Sequence, residues 1–119
     1  VRNTDDLGDK DFRRTLPRFN AENMAANAPL VARLEEMAAQ KGVTAAQLAL
    51  AWVVNQGDFI VPIPGARKIA HLEQNVAAAD IALSPQELAA LGDMLSPEKF
   101  AGKRYDEAAT IEPGVSAAR

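Results

Sequence analysis

The sequence predicts an α/β chain that is mostly helical and carries one strand. Three observations support this class. Phe59-Ile60-Val61-Pro62-Ile63 is a short apolar run rich in β-branched residues, as a strand requires. Apolar residues elsewhere recur at three-four spacing. Two of those helical stretches open with capping boxes, Thr44-Ala45-Ala46-Gln47 and Ser84-Pro85-Gln86-Glu87.

Residues 1–20 show no period; they carry Gly8, Pro17 and mixed charge and read as a loop. Its cations Lys10, Arg13, Arg14 and Arg18 are offset by Asp5, Asp6, Asp9 and Asp11. The composition by itself favours a solvated loop over a flap covering a substrate. Residues 21–40 read as a helix, with Met24, Ala28, Val31, Leu34 and Met37-Ala38 near one face and Asn20 as its cap. Pro29 inside the pattern predicts a kink or a restart. Gly42 supplies the stop.

The helix opened by Thr44 places Leu48, Ala51, Trp52 and Asn55 at helical spacing, and Gly57 ends it. Trp52 reads as a buried anchor. The strand at 59–63 follows, with Pro62 and Pro64 where ladder pairing stops. A lone apolar strand cannot satisfy its own backbone groups, so it needs partners from elsewhere. The next helix, from Lys68 to Ala79, sets Ile69, Leu72, Val76 and Ala79 on an apolar face. The Ser84 helix lines its buried side with Leu88, Leu91 and Leu95. After Ser96-Pro97 periodicity is lost, and residues 96–119 read as a mobile or extended tail.

The strand–turn–helix at 59–75 holds the chemistry. The first N–H groups of a helix lack intrahelical partners, and the helix dipole favours negative charge there. Pro64 and Gly65 form a turn that a ligand can approach closely at Gly65, since glycine has no Cβ. Arg67 and Lys68 place cations where the dipole opposes them, which calls for an anion. His71, four residues after Arg67, is expected on the same face, with Asn75 a further turn along. Taken alone, each of these side chains also has a plain reading as helix surface. No second ligand stands at a metal-binding spacing from His71.

Several classes are disfavoured. The net charge of −3 argues against nucleic acid or an anionic membrane as the partner of the chain as a whole. The absence of cysteine excludes disulfides and thiolate metal sites. No apolar run approaches the ~18 residues of a spanning helix, and the polar start Val1-Arg2-Asn3-Thr4-Asp5-Asp6 is no signal peptide, so a cytoplasmic location is expected.

The stretch Val61-Pro62-Ile63-Pro64-Gly65 through Glu73-Gln74-Asn75 resembles the last strand and following helix of the aldo-keto reductases, NADP-dependent enzymes on a (β/α)₈ TIM barrel. Asp11-Phe12-Arg13-Arg14 through Pro17-Arg18-Phe19 resembles that family's long loop after the seventh strand, and Ala46-Gln47-Leu48-Ala49-Leu50-Ala51-Trp52 its last large helix before the eighth. The resemblance runs from about Asp5 to Leu95. It implies that the chain is the C-terminal third of such a barrel, organised as a loop (1–20), helices with the last strand (21–95) and a tail (96–119).

It further implies cofactor contacts at Gly65, Ala66, Arg67, His71, Gln74 and Asn75. Arg67 would be the main contact to the 2′-phosphate, and Gln74 and Asn75 would lie near the adenine. Family members often have Glu where Gln74 stands. A full barrel takes about 250 residues, whereas this chain has 119. The family's catalytic Asp, Tyr, Lys and His lie in the first part of its barrel, and none can be placed here. The only Tyr is Tyr105, in the tail, and the only His is His71.

The expected function is therefore the cofactor-gripping part of an NADPH-dependent reductase of aldehydes or ketones, inactive alone. Its partner would be the missing N-terminal part of the barrel or another chain. The alternative is a non-catalytic helical interaction or DNA-binding module. Against the DNA version, the Thr44 helix carries no Lys or Arg.

Overall fold

The computed structural model describes residues 1–103. The described residues form two compact units, one from Val1–Pro29 with residues 100–103, the other from Leu30–Lys99. Four α-helices are formed among the described residues: α1 (Ala21–Gln40), α2 (Ala45–Val54), α3 (Ile69–Ala77) and α4 (Pro85–Met94).

In the first unit the expected loop is organised by three short 3-10 turns, Thr4–Asp6, Phe12–Thr15 and Pro17–Phe19. Its Arg13, Arg14 and Arg18 side chains are spent on structure. The Arg14 guanidinium donates to the carbonyls of Leu7 (2.8 Å) and Thr4 (3.1 Å). Arg13 pairs with Asp11 at 2.7 Å, which holds the Asp11 carboxyl down at about 2. Ala101 exchanges two hydrogen bonds with the Asn27 amide (2.8 and 3.0 Å), and Arg18 Nε donates to the Gly102 carbonyl at 3.1 Å. Thus the first residues of the expected tail are held in place. Residues 104–119, with Tyr105, lie outside the described residues.

α1 begins as expected: the Asn20 side chain accepts the Asn23 N–H at 2.8 Å. The helix runs unbroken across Pro29, so the expected restart does not occur. It ends where Gly42 adopts φ +73°, a conformation that costs a Cβ-bearing residue. There the Val43 N–H reaches the Ala38 carbonyl (3.0 Å) and the Gly42 N–H that of Ala39 (3.1 Å), the paired bonds of a Schellman motif.

The core of the second unit gathers Ala38 of α1, Leu48 of α2, and Leu91 and Met94 of α4, with Leu34, Met37, Trp52, Leu83 and Leu95 packed around it. Both capping boxes form. Trp52 is half-buried rather than an enclosed anchor. α2 closes earlier than Gly57 would set it. The Asn55 and Gln56 amides donate to the Ala51 and Trp52 carbonyls (2.8 and 2.9 Å) and end the helix at Val54.

One expected element is missing. The run Phe59–Ile63 forms no strand among the described residues. Phe59 lies in a turn closed by the Ile60 N–H to the Gly57 carbonyl (2.9 Å), and residues 61–66 make no backbone–backbone hydrogen bond among the described residues. A strand is completed by a neighbouring ladder, and the described chain offers none. Phe59, Val61 and Ile63 stay 83%, 82% and 94% exposed.

Candidate cofactor site

The site is built where the irregular segment enters α3. Pro62 and Pro64 have fixed φ and no N–H, which keeps this stretch out of helix. Lys68, extended at φ −128° and ψ 143°, is the N-cap of α3 and bears no side-chain oxygen to cap it. The His71 and Leu72 N–H groups both reach back to the Lys68 carbonyl at 3.1 Å. The amides of Ile69 and Ala70 at the head of α3 therefore have no side-chain acceptor. α2 and α4 differ, each being closed by its own box.

Gly65, Ala66, Arg67, Lys68 and His71 line one open concavity of about 740 Å³ at this helix start. A Cβ on Gly65 would meet nothing within 4 Å, so the space above the turn is open. The side chains of Arg67, Lys68 and His71 form no hydrogen bond or ion pair among the described residues. Two uncompensated cations thus stand at the positive end of a helix dipole, an arrangement that an anion would relieve. Hydrogen-bond donors converge here, an arrangement suited to binding an anion.

The structure assembles these residues by a different route from the one expected. The expected Lys68–Ala79 helix is shorter: α3 proper is Ile69–Ala77, and Ala78–Asp80 is a 3-10 turn. Arg67 precedes the helix, so helical i,i+4 spacing does not relate it to His71. The bend before Lys68 brings both to the same concavity.

Asn75 lies one turn beyond His71 but lines a different groove, of about 440 Å³, with Leu50, Val54, Pro62, Leu72 and Val76. Gln74 is exposed, and its carbonyl accepts the Gln47 Nε2–H at 3.2 Å, which ties α3 to the capping box of α2. The sequence had suggested no apolar groove. The signal was present in the spacing that sets Ile69, Leu72 and Val76 on one apolar face. Those residues are 77%, 54% and 65% exposed and form an open face. Among the described residues no helix is long and apolar enough to cross a membrane.

The profile of the Aldo/keto reductase family matches residues 2–95. Among curated relatives, the chain is similar to aldo-keto reductase str7 of Strobilurus tenacellus, with 39% identity over 100 residues. That match takes in 84% of this chain and 30% of the relative, so the chain spans about a third of the relative's length. The match covers both units' described elements up to Leu95, the site at the start of α3 included. The chain belongs to the aldo/keto reductase family.

Proposed function

We propose that this chain is the cofactor-gripping C-terminal segment of an NADPH-dependent reductase of aldehydes or ketones, cytoplasmic, completed by the remainder of a TIM barrel. One observation carries the reading: in a chain of this family, Arg67, Lys68 and His71 share an uncompensated concavity at an uncapped helix start. The donor set suits a phosphate. Guanidinium gives paired hydrogen bonds to phosphate oxygens, and the α3 amides add to the same field. Arg67 would hold the 2′-phosphate, with Lys68 and His71 beside it. Asn75, whose amide both donates and accepts, would meet the edge of the adenine over the apolar groove, and Gln74 would stand near it. NADPH, when bound, supplies the hydride. The residues here contribute binding and orientation only.

The test is a binding titration of NADPH and NADH on an enzyme that contains this segment. Arg67→Ala is expected to weaken NADPH by about 1.5–3 kcal/mol, the range of a charge-assisted hydrogen bond, and to leave NADH nearly unchanged. Asn75→Ala is expected to weaken both, because both carry adenine. Equal losses of the two cofactors on Arg67→Ala would show that the residue does not read the 2′-phosphate.

A further inference from the structure

Capping boxes open both α2 and α4, and in each the third residue has a second task for the atom that the box leaves over. In the Ser84 box Glu87 has a second oxygen, and it accepts from the Lys41 ammonium at 2.6 Å. In the Thr44 box Gln47 Oε1 accepts the Thr44 N–H at 3.0 Å and the Thr44 hydroxyl at 3.2 Å. Nε2 is left, and it donates to the Gln74 carbonyl of α3 at 3.2 Å. Residue type matches task. A carboxylate only accepts, whereas an amide accepts on one atom and donates on the other. The box itself needs only an acceptor, and Glu at this place would also suit the helix dipole. Gln forgoes that gain and keeps a donor. Turning the amide over would set Oε1 against the Gln74 carbonyl, so both partners fix its orientation.

The Gln74 carbonyl receives this bond where α3 tightens. In a continuing α-helix the Ala78 N–H would close it. That N–H turns instead to the Asn75 and Val76 carbonyls, as the chain passes into the 3-10 turn Ala78–Asp80. The turn rests on α2, with Ala78 buried. Apolar packing at one small residue is non-directional and sets a distance. The Gln47 bond is directional and sets an angle. Asn75 follows the bonded carbonyl in the chain and lines its groove with Leu50 and Val54 of α2. We infer that Gln47 is a positioning residue of the cofactor site: its amide holds α3 against α2 at the angle that puts Asn75 where the edge of the adenine falls. The inference rests on the cofactor reading for its ligand, while the tie itself lies between two helices of this chain.

Gln47→Glu separates the two tasks. It keeps the acceptor that the box needs and removes the donor that Gln74 needs. The test takes an enzyme that contains this segment and follows three readouts: urea unfolding without cofactor, amide exchange of α3, and titration with NADPH and NADH. The unfolding midpoint is expected to stay at or above that of the parent. Exchange in α3 is expected to quicken while α4 is unchanged. Both cofactors are expected to bind about three- to ten-fold more weakly, the worth of one neutral hydrogen bond, because both carry adenine. Unaltered binding of both cofactors would overturn the inference. A lowered midpoint would overturn it too, since Gln47 would then act through the fold alone. Arg67→Ala in the same titration keeps the two readings apart. If it weakens NADPH selectively while Gln47→Glu changes nothing, the cofactor reading stands and this inference falls. If it weakens both cofactors equally, the 2′-phosphate reading falls, and Gln47→Glu still decides the role of the tie.

Discussion

Glu87 shows how much one side chain can carry. It is the third residue of the Ser84 capping box, where its Oε2 accepts the Ser84 N–H at 2.7 Å while Oε1 accepts the Lys41 ammonium at 2.6 Å. Lys41 first, then the Ser84 amide, holds its carboxyl below the usual glutamate range. A carboxyl lowered by folding contributes stability that is present above its unfolded value and is lost as pH falls through the folded one. Glu87→Gln is therefore expected to be less stable than the parent at pH 7. The difference should vanish in acid, below the range in which the parent glutamate stays ionised. Urea unfolding at pH 7 and pH 3 checks this, and a difference that persists unchanged at pH 3 would detach the effect from the charge. Lys41 and Glu87 lie 46 residues apart. The capping box at Ser84 was legible in the sequence because it is local, while the ion pair that tightens it was not.

The same division holds for whole elements. Helix ends are decided within a few residues, and the sequence marked several: Asn20, Thr44 and Ser84 as caps, and Gly42 as a stop. Gly42→Ala is expected to destabilise the second unit by about 1–2 kcal/mol, the cost of a Cβ in the left-handed region, read as a lower urea midpoint with an unchanged slope. A stabilised variant would mean that the Schellman turn does not depend on that φ. Strands are decided elsewhere. Phe59–Ile63 has strand composition, yet its ladder must come from another segment, and no rule of composition supplies one. The openness of the α3 face was not legible for a related reason. Ile69, Leu72 and Val76 have the spacing of a buried stripe, but spacing says which residues share a side and not what lies against it. Arg67 and His71 were expected together on helical grounds, and a bend before Lys68 gathers them instead. The residues were legible where residue type sufficed, and the geometry was not.

At the scale of the molecule, the chain spans about a third of the length of its relative from Strobilurus tenacellus. Its second unit has a small core, built on Ala38, Leu48, Leu91 and Met94, and leaves a strand-like edge and one helix face uncovered. Such surfaces are expected where a domain's core continues beyond them. The concavity at α3 gathers hydrogen-bond donors, which in the proposed reading hold a phosphate while the reacting groups lie elsewhere in the barrel. Grip without chemistry is the central claim, and it is tested most directly by turnover. Purified 119-residue chain at high concentration, given NADPH and a reactive aldehyde, is expected to show no loss of NADPH absorbance above the protein-free rate. Turnover that follows the chain through successive purification steps and scales with its concentration would contradict the claim, and would place the reacting groups within these residues.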